Sequence, residues 1–319
     1  MNPLRAVRET CATVAAGSRH VSIDPLRLRE FALELASAER QTPVYDPAHH
    51  HRGDAHSTLA FVLTLDAINF GSGWFPQLEK LPGLSGYLTI ATRLKQHFDR
   101  EGPFDTASLR ALDAAAVSHL LGQTKGDAEL GELMALFARA LGDLAEFLDT
   151  EYAGRFEGPV EAAGGCAAQL VSDLARMPLY ADVARYGASE VYFLKRAQIT
   201  VADLSMAFEG RDWGGFEDID DLTIFADNLV PHVLRMAGVV VYDEALAAAI
   251  ESGTLLPAGS EEEVEIRACA VHAVECIAPV IAEVGPAIPV HQLDWLLWTR
   301  GQGREMKSRP RHRTRTSFY

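Results

Sequence analysis

The chain has 319 residues, of which 48% are apolar and 23% are charged, and its formal net charge is −15. This balance is ordinary for a globular protein and argues against a general nucleic-acid binder, which needs positive charge. No run of 18 apolar residues occurs, the first twenty residues lack a signal-peptide core, and the four cysteines form no CxxC pair. We therefore expect a cytoplasmic protein with reduced thiols and no membrane contact.

Helical periodicity dominates the sequence. Between Glu129 and Asp149, apolar residues recur at the i, i+3, i+4, i+7 spacing of an amphipathic helix. Comparable patterns predict helices, in chain order, over residues 25–37, 57–70, 85–98, 105–121, 129–149, 164–177, 195–208, 222–236, 242–251, 261–284 and 289–300. Strand signals are few, the best being residues 44–45 and 238–242. The predicted fold class is mainly α with few short strands.

The predicted elements are joined by short linkers rich in glycine and proline, and no internal repeat is visible. We therefore expect one compact helical domain over residues 1–319. A two-lobed arrangement is the alternative within that domain, and a central cleft between lobes would be the natural binding site.

A histidine-rich stretch, HHHRGDAH, occupies residues 49–56. Consecutive histidines cannot all face one ion on a regular element, so a metal site is the weaker interpretation. Cys269, His272 and Cys276 share one face of a predicted helix, but a fourth ligand is missing and core thiols explain them better. We predict no metal and no cofactor.

The segment LDAINFGSGWFP, residues 65–76, ends a predicted helix in a glycine-rich turn. Asp66, Asn69 and Phe70 stand at i, i+3 and i+4 and share a helix face. Two planar hydrogen-bonding groups beside an aromatic ring could read the edge of a nucleobase while the ring stacks on it. The simpler alternative is an asparagine at a helix end, a core phenylalanine and an ordinary turn.

Residues 192–232 hold the densest collection of chemical groups. Lys195, near a predicted helix start, could aim its ammonium at an anion or be an ordinary surface lysine. Trp213, in the WGGF stretch, could belong to an aromatic flap or simply plug a loop. Asp227 follows the apolar run LTIFA, and a carboxylate among apolar residues is costly unless it is partnered or protonated. We expect Asp227 to have a function.

The last twenty residues carry seven lysines and arginines against one acid, about +6, while the rest of the chain carries about −21. Such a run is most often a solvated arm. Here it is interleaved with threonines, a histidine and two aromatics, and guanidinium forks with hydroxyls suit phosphate oxygens. Phosphate binding and a solvated arm both remain open.

No GxSxG, GxxxxGK[ST] or HExxH motif occurs, so catalysis would rest on carboxylates. Several segments together resemble the queuosine salvage family of queuosine 5′-phosphate N-glycosylase/hydrolases. They are residues 19–23 (RHVSI), 65–76, 192–204 (YFLKRAQITVADL), 216–232 (FEDIDDLTIFADNLVPH) and 312–319 (HRTRTSFY). The resemblance implies a mainly helical fold similar to DNA glycosylases, and the metal-free hydrolysis of queuosine 5′-monophosphate to queuine and ribose 5-phosphate.

The resemblance also suggests roles for single residues. Asp227 would stabilise or attack the cationic ribose. Asp66, Asn69 or Asp203 would hold the edge of the 7-deazapurine base, which lacks the N7 that other purine hydrolases can protonate. The base would be stacked on by the aromatic residues Phe70, Tyr192 and Trp213. The 5′-phosphate would be bound by Lys195, His312, Arg313, Arg315 and Tyr319. A further pocket residue without a defined role would be His20.

The partners expected are the nucleotide substrate and the queuine product, without direct binding of nucleic acid. The main alternative is a non-catalytic module that binds a modified nucleotide or tRNA. A net charge of −15 speaks against tRNA, because phosphate contacts dominate such affinity.

Overall fold

The computed structural model describes residues 2–38 and 43–319, and these are mainly helical. The described helices are α1 (Pro3–Gly17), α2 (Pro25–Ser37), α3 (Ala55–Ala67), α4 (Gly86–Glu101), α5 (Thr106–Ala111), α6 (Ala114–Leu120), α7 (Ala128–Tyr152), α8 (Gly158–Ala163), α9 (Ala167–Leu174), α10 (Lys195–Ala207), α11 (Val230–Met236), α12 (Glu244–Glu251), α13 (Glu261–Val284) and α14 (Val290–Gly301). The described strands are β1 (Val21–Ile23), β2 (Val183–Tyr186), β3 (Ser189–Tyr192) and β4 (Val240–Tyr242). The predicted class, mainly α with few short strands, is confirmed.

The strands form two small antiparallel pairs. β1 pairs with β4, with Val21 opposite Tyr242, so the predicted strand at 238–242 is confirmed in its last three residues. β2 and β3 form a hairpin whose turn contains Gly187, at φ +59°. Residues 44–45 lie outside any strand, and Val44 is exposed, so that strand prediction is wrong.

Helix α13 forms the centre of one half of the core. Ser260 caps its start, and the helix packs against α1, α2, α11 and α14. Thirteen of its residues are buried, including two glutamates and an arginine, so its surroundings are not uniformly apolar. These buried charged side chains place polar groups inside the core around α13.

Helices α3 and α10 position most of the predicted polar residues. Every residue of α3 from Ser57 to Ala67 is buried, and α3 packs against α10, α7 and α4. Apolar residues occupy every face of α3, so the helix runs through the core and not along the surface. Asp66, in its last turn, is thereby enclosed.

The apolar run before Asp227 is extended, so the predicted helix 222–236 is wrong in its first half. The N–H of Thr223 donates to Gln198 Oε1 at 2.9 Å, and that of Phe225 donates to Asp294 Oδ1 at 2.8 Å. In this run, backbone N–H groups donate to side chains instead of to the carbonyls of a helix. Because nearly the whole run is apolar, its sequence shows neither the helical nor the strand period. Helix α11 begins only at Val230.

Two other predicted helices differ from the structure. The predicted helix 105–121 is divided, because Asp113 accepts the N–H of Ala116 and starts α6 as a new helix. The predicted helix 164–177 is reduced to α9, since Gly164, at φ +58°, and Gly165, at φ +79°, precede it. Helix α1 was not predicted.

The basic C-terminal segment, residues 309–319, packs against the body of the protein. Thr314 is fully buried, and the N–H of Gly71 donates to the Tyr319 carbonyl at 2.9 Å. A Cβ at Gly73 would lie 2.2 Å from the Thr314 carbonyl oxygen, so only glycine fits there. The alternative of a solvated arm is wrong for this segment.

None of the helices in the described part of the chain combines the length and the apolar character needed to cross a membrane.

Candidate active site

Asp227 lies between the extended run 222–226 and helix α11. Its Oδ1 accepts the N–H groups of Leu229 at 2.7 Å and Val230 at 3.1 Å, which fixes the orientation of the carboxylate. Within residues 2–38 and 43–319, no hydrogen bond reaches its Oδ2. The side chain is half-buried, so one oxygen is held and the other can meet a ligand.

Lys195, the first residue of α10, is the cation beside Asp227. It is only 5% exposed, and its Nζ donates to the Asn69 carbonyl at 3.0 Å and lies 3.5 Å from Asn69 Oδ1. Burial lowers the pKa of Lys195, and the carboxylates of Asp227 and Asp66 oppose that shift. It is therefore an interior residue and not an ordinary surface lysine.

Asp294 of α14 is a second carboxyl group next to Asp227, and sequence reasoning missed it. It is 6% exposed and accepts the N–H of Phe225, which fixes the extended run in front of Asp227. Burial raises its pKa well above the ordinary value, and the negative charge of Asp227 raises it further. Its surroundings therefore favour the protonated form of Asp294.

Asp66 and Asp203 form a carboxyl pair on the facing helices α3 and α10. Asp66 is completely buried, its Oδ1 lies 3.4 Å from Asn69 Nδ2, and its Oδ2 has no partner among the described residues. Burial raises the pKa of both groups, that of Asp203 to about 7, while the charge of Asp203 raises that of Asp66 further. Two acids this close favour sharing a proton near neutral pH.

Two half-buried aromatic rings, those of Tyr87 and Trp298, lie near these carboxyl groups. Trp298 follows Asp294 by one turn of α14, and its ring meets that of Tyr87 edge-on, with centroids 6.5 Å apart. The Tyr87 hydroxyl lies 2.9 Å from His50 Nε2. Burial raises the Tyr87 pKa well above its usual value, and the charges of Asp203 and Asp66 add to that shift. Tyr87 therefore lies near the acid pair.

Five predicted site residues thus come together, namely Asp66, Asn69, Lys195, Asp203 and Asp227. Phe70 lies behind this group in the core, with its ring against Phe137 and the Arg196 guanidinium 4.7 Å from its centroid. The Phe70 side chain is only 2% exposed. Its role in stacking stays a prediction.

The C-terminal residues predicted to clamp phosphate make contacts within the protein. His312 is 2% exposed, its Nε2 lies 3.3 Å from the Tyr319 hydroxyl, and burial lowers its pKa to about 3, so it is neutral. Arg313 donates to the Gly73 carbonyl at 2.9 Å, and Arg315 pairs with Glu129 of α7. Through Arg313, this segment contacts the turn at residues 72–74. It also lies next to Asp227, because Asn228 Nδ2 donates to the His312 carbonyl at 3.4 Å.

His20, Tyr192 and Trp213 are not joined to the Asp227 group by any contact within the described residues. His20 Nδ1 lies 2.8 Å from Asp243 Oδ2 in a surface pocket beside β1 and β4. Tyr192 donates its hydroxyl to Glu190, and Trp213 packs edge-on against Phe208. Their proposed contacts with substrate stay predictions.

The histidines of residues 49–56 have separate partners. His49 lies 2.9 Å from Thr92 Oγ1, His51 lies 2.7 Å from Asp99 Oδ1, and His56 pairs with Glu157. Across residues 2–38 and 43–319, no three histidine, cysteine or acidic side chains are grouped as a metal site would require.

Asp294, Tyr87 and Trp298 are the candidate site residues that sequence reasoning missed. Asp294 sits in the LDWLLW stretch of a predicted helix, where an acid between apolar residues is the same signal that singled out Asp227. The two aromatic residues carry no such signal, because a ring in an amphipathic helix is normally a core residue.

Residues 49–319 match the Queuosine salvage protein family. A Sphaerobacter thermophilus protein named queuosine 5′-phosphate N-glycosylase/hydrolase is 35% identical over 318 residues, covering 98% of this chain and 97% of that protein. Proteins of the same name from Dictyostelium discoideum and Mus musculus are 32% and 30% identical, with full coverage of both chains in each case.

Proposed function

Because the chain belongs to the queuosine salvage protein family, we propose that it hydrolyses queuosine 5′-monophosphate at its N-glycosidic bond. The products are queuine and ribose 5-phosphate, which would return the base for use in tRNA modification. The enzyme is a nucleotide N-ribohydrolase, and its catalytic residue in this proposal is Asp227.

The observation that carries the mechanism is the fixed Asp227 carboxylate with one unbonded oxygen. As the glycosidic bond breaks, its electron pair leaves with the base and positive charge develops on the ribose. A partly desolvated carboxylate stabilises that cation more strongly than a solvated one. Water then adds its oxygen to the anomeric carbon and loses a proton. Asp227 acts either as the electrostatic partner of the cation or as a nucleophile in a covalent intermediate.

The base is best accommodated on the side of Asp66, Asn69 and Asp203. A 7-deazapurine cannot be protonated at N7, so the leaving base must gain its stabilisation from hydrogen bonds at its edge or from a proton donated elsewhere. The Asp66–Asp203 pair holds such a proton near neutral pH, because burial raises both pKa values. The half-buried rings of Tyr87 and Trp298 offer the base an apolar surface.

The remaining parts of the proposal concern the setting of the enzyme. We propose a single N-glycosylase domain with the cleft at Asp227, supported by a family match that covers residues 49–319. Cys11, Cys166, Cys269 and Cys276 are free thiols, which supports a cytoplasmic location. A net charge of −15 supports a small-molecule substrate and no direct nucleic-acid partner.

The test is to incubate the purified protein with queuosine 5′-monophosphate and to measure free queuine by mass spectrometry. The wild-type protein should release it, and Asp227→Asn should lower kcat by about three orders of magnitude or more. Asp220→Asn, an exposed acid of the same segment, is the matched control and should keep the wild-type rate. Nucleotide binding by Asp227→Asn should persist in calorimetry.

No queuine from the wild-type protein would refute the enzymatic proposal. Binding without release, together with a steep salt dependence of tRNA affinity, would instead identify a non-catalytic binding module. A wild-type rate in Asp227→Asn would move the chemistry to another carboxylate, with Asp294 the first to be substituted.

A further inference from the structure

Gln198, on α10, joins two segments of the candidate active site through its side-chain amide. The residue is completely buried. Its Nε2 donates to the Phe193 carbonyl and to the Thr223 hydroxyl, at 2.9 Å each, and its Oε1 accepts the Thr223 N–H at 2.9 Å. Both hydrogens of the amide are therefore used within the protein, and the amide links residue 193 to residue 223.

The Phe193 end of this link leads to Lys195, two residues further on. Leu194, between them, has φ +52°, in the left-handed region that leucine avoids. The N–H groups of Phe193 and Leu194 donate to the Asp182 carbonyl at 3.0 and 3.2 Å, and the Phe193 carbonyl is bound by Gln198. Gln198 thus helps to hold the backbone step from which Lys195 and α10 start.

The Thr223 end of the link leads to Asp227, four residues further on. Thr223 is completely buried, and the extended run at whose start it lies is held by side chains. At the other end of the run, the Ala226 carbonyl accepts the Nε hydrogen of Arg267 at 3.0 Å. Gln198 and Arg267 therefore fix the two ends of the run that positions Asp227.

The two segments that Gln198 joins carry opposite charges. Lys195 Nζ, bound to the Asn69 carbonyl at 3.0 Å, belongs to one of them, and the Asp227 carboxylate follows the other. The link is short and fully hydrogen-bonded, so it sets the separation of these segments in the folded protein. Charges that are held in place before the reaction stabilise a developing cation without rearrangement during it.

We propose that Gln198 is a positioning residue of the hydrolysis, which holds the segment of Asp227 at a fixed distance from the segment of Lys195. It does not touch the substrate, because it is completely buried and both hydrogens of its amide are bonded within the protein. A displacement of about 1 Å at the reacting groups lowers a rate by about 100-fold. This inference rests on the proposed function, since Asp227 is the residue that Gln198 positions.

The experiment replaces Gln198 by methionine, which has a similar shape and no amide. Gln198→Met should lower kcat for queuine release by about 10- to 100-fold and change KM by less than about 3-fold, because the carboxylate is displaced while the binding contacts remain. Thr223→Val, which loses only the hydroxyl, should lower kcat by about 5-fold, and Thr223→Ser, which keeps the hydroxyl, should match the wild type. Thr223→Val also tests the link if Gln198→Met fails to fold.

Gln123→Met is the matched control. Gln123 is 3% exposed, its Oε1 accepts the Glu79 N–H at 2.8 Å, and its Nε2 donates to the carbonyls of Leu121 and Glu79 at 3.0 and 3.2 Å. Gln123→Met should lose a similar amount of stability in urea unfolding and keep the wild-type kcat. An equal fall of kcat in both variants would show that destabilisation causes the loss, and it would overturn the positioning role.

A double variant separates positioning from general damage. In single-turnover measurements on Asp227→Asn, the addition of Gln198→Met should change the residual rate by less than about 2-fold, because no carboxylate remains to be positioned. Losses that multiply would contradict the proposal.

Hydrogen exchange of the Thr223 N–H needs no turnover. It should be about 5-fold faster or more in Gln198→Met than in the wild type, and an unchanged exchange rate would show that Gln198 does not hold the run. Absence of queuine release by the wild-type protein would refute the activity and, with it, the catalytic role of Gln198. Release by the wild type with an unchanged kcat in Gln198→Met would refute the positioning role alone.

Discussion

Two clusters of buried charge lie side by side in this protein, and they are built in opposite ways. The paired cluster consists of Asp182, Glu263 and Arg267, and the Arg267 guanidinium meets Asp182 through two contacts, of 3.0 and 2.6 Å. The open cluster consists of Asp66, Lys195, Asp203, Asp227 and Asp294. The two clusters are adjacent, because the Lys195 N–H lies 3.2 Å from Asp182 Oδ2.

The clusters differ in their balance of acids and donors. Arg267 also stacks on Phe193 and Tyr319, with its guanidinium carbon 3.9 and 4.7 Å from the ring centroids, so it is enclosed on all sides. In the open cluster, four carboxyl groups share the ammonium of Lys195, and burial raises the pKa of three of them. Burial alone therefore does not mark a functional charge in this fold. We propose that burial with too few partners marks the functional charges of the open cluster.

The strongest test of the contrast is Arg267→Met. It leaves two buried carboxylates without their cation, so the free energy of unfolding should fall by about 3–5 kcal/mol. Asp227→Asn should change that free energy by less than about 1 kcal/mol while it abolishes turnover. Urea unfolding of both variants measures the difference. Arg267→Lys, which keeps the charge, should lie between Arg267→Met and wild type. If Asp227→Asn and Arg267→Met lower the free energy of unfolding equally, the distinction between the two clusters is wrong.

A smaller effect concerns the pH dependence of the open cluster. The pKa of Asp203 is raised to about 7, so its favourable contribution is fully present below about pH 4 and is lost as pH rises through about 7. Asp203→Asn removes this loss. Relative to wild type, the free energy of unfolding of the variant should therefore rise by about 4 kcal/mol between pH 4 and pH 8.

Urea unfolding at both pH values measures the effect of Asp203→Asn, with Asp220→Asn as the exposed control. A stability difference that is the same at pH 4 and pH 8 would show that Asp203 titrates normally. It would also contradict our proposal that the Asp66–Asp203 pair holds a proton near neutral pH.

The smallest expected effect comes from another buried acid, Glu265. Its carboxylate accepts the N–H groups of Arg19, His20 and Val21 at 3.0, 2.7 and 3.0 Å, so it is fully bonded, like the paired cluster. Glu265→Gln keeps one acceptor and should cost about 1 kcal/mol of stability, with no change in KM. Glu262→Gln, one residue outside the buried stretch, is the control. A changed KM would place β1 in the substrate site.

Sequence reasoning found the elements that depend on local pattern and missed those that depend on distant partners. Helix α7 and most other helices follow from the spacing of apolar residues, and the five clustered site residues lie in segments marked by their polar content. The extended run before Asp227 could not be predicted, because the groups that hold it, Gln198 and Asp294, are 25 and 69 residues away.

The segment 309–319 that closes the back of the site also affects how the protein reaches its active state. Arg313 contacts Gly73 across 240 residues of sequence, and His312 contacts Asn228 across 84. Such long loops are closed late and slowly during folding. As a ribosome makes this chain, the segments that carry Asp66, Lys195 and Asp227 emerge well before the segment that supports them. We therefore expect the loop that carries Asp227 to become ordered last, after the body of the protein has been synthesised.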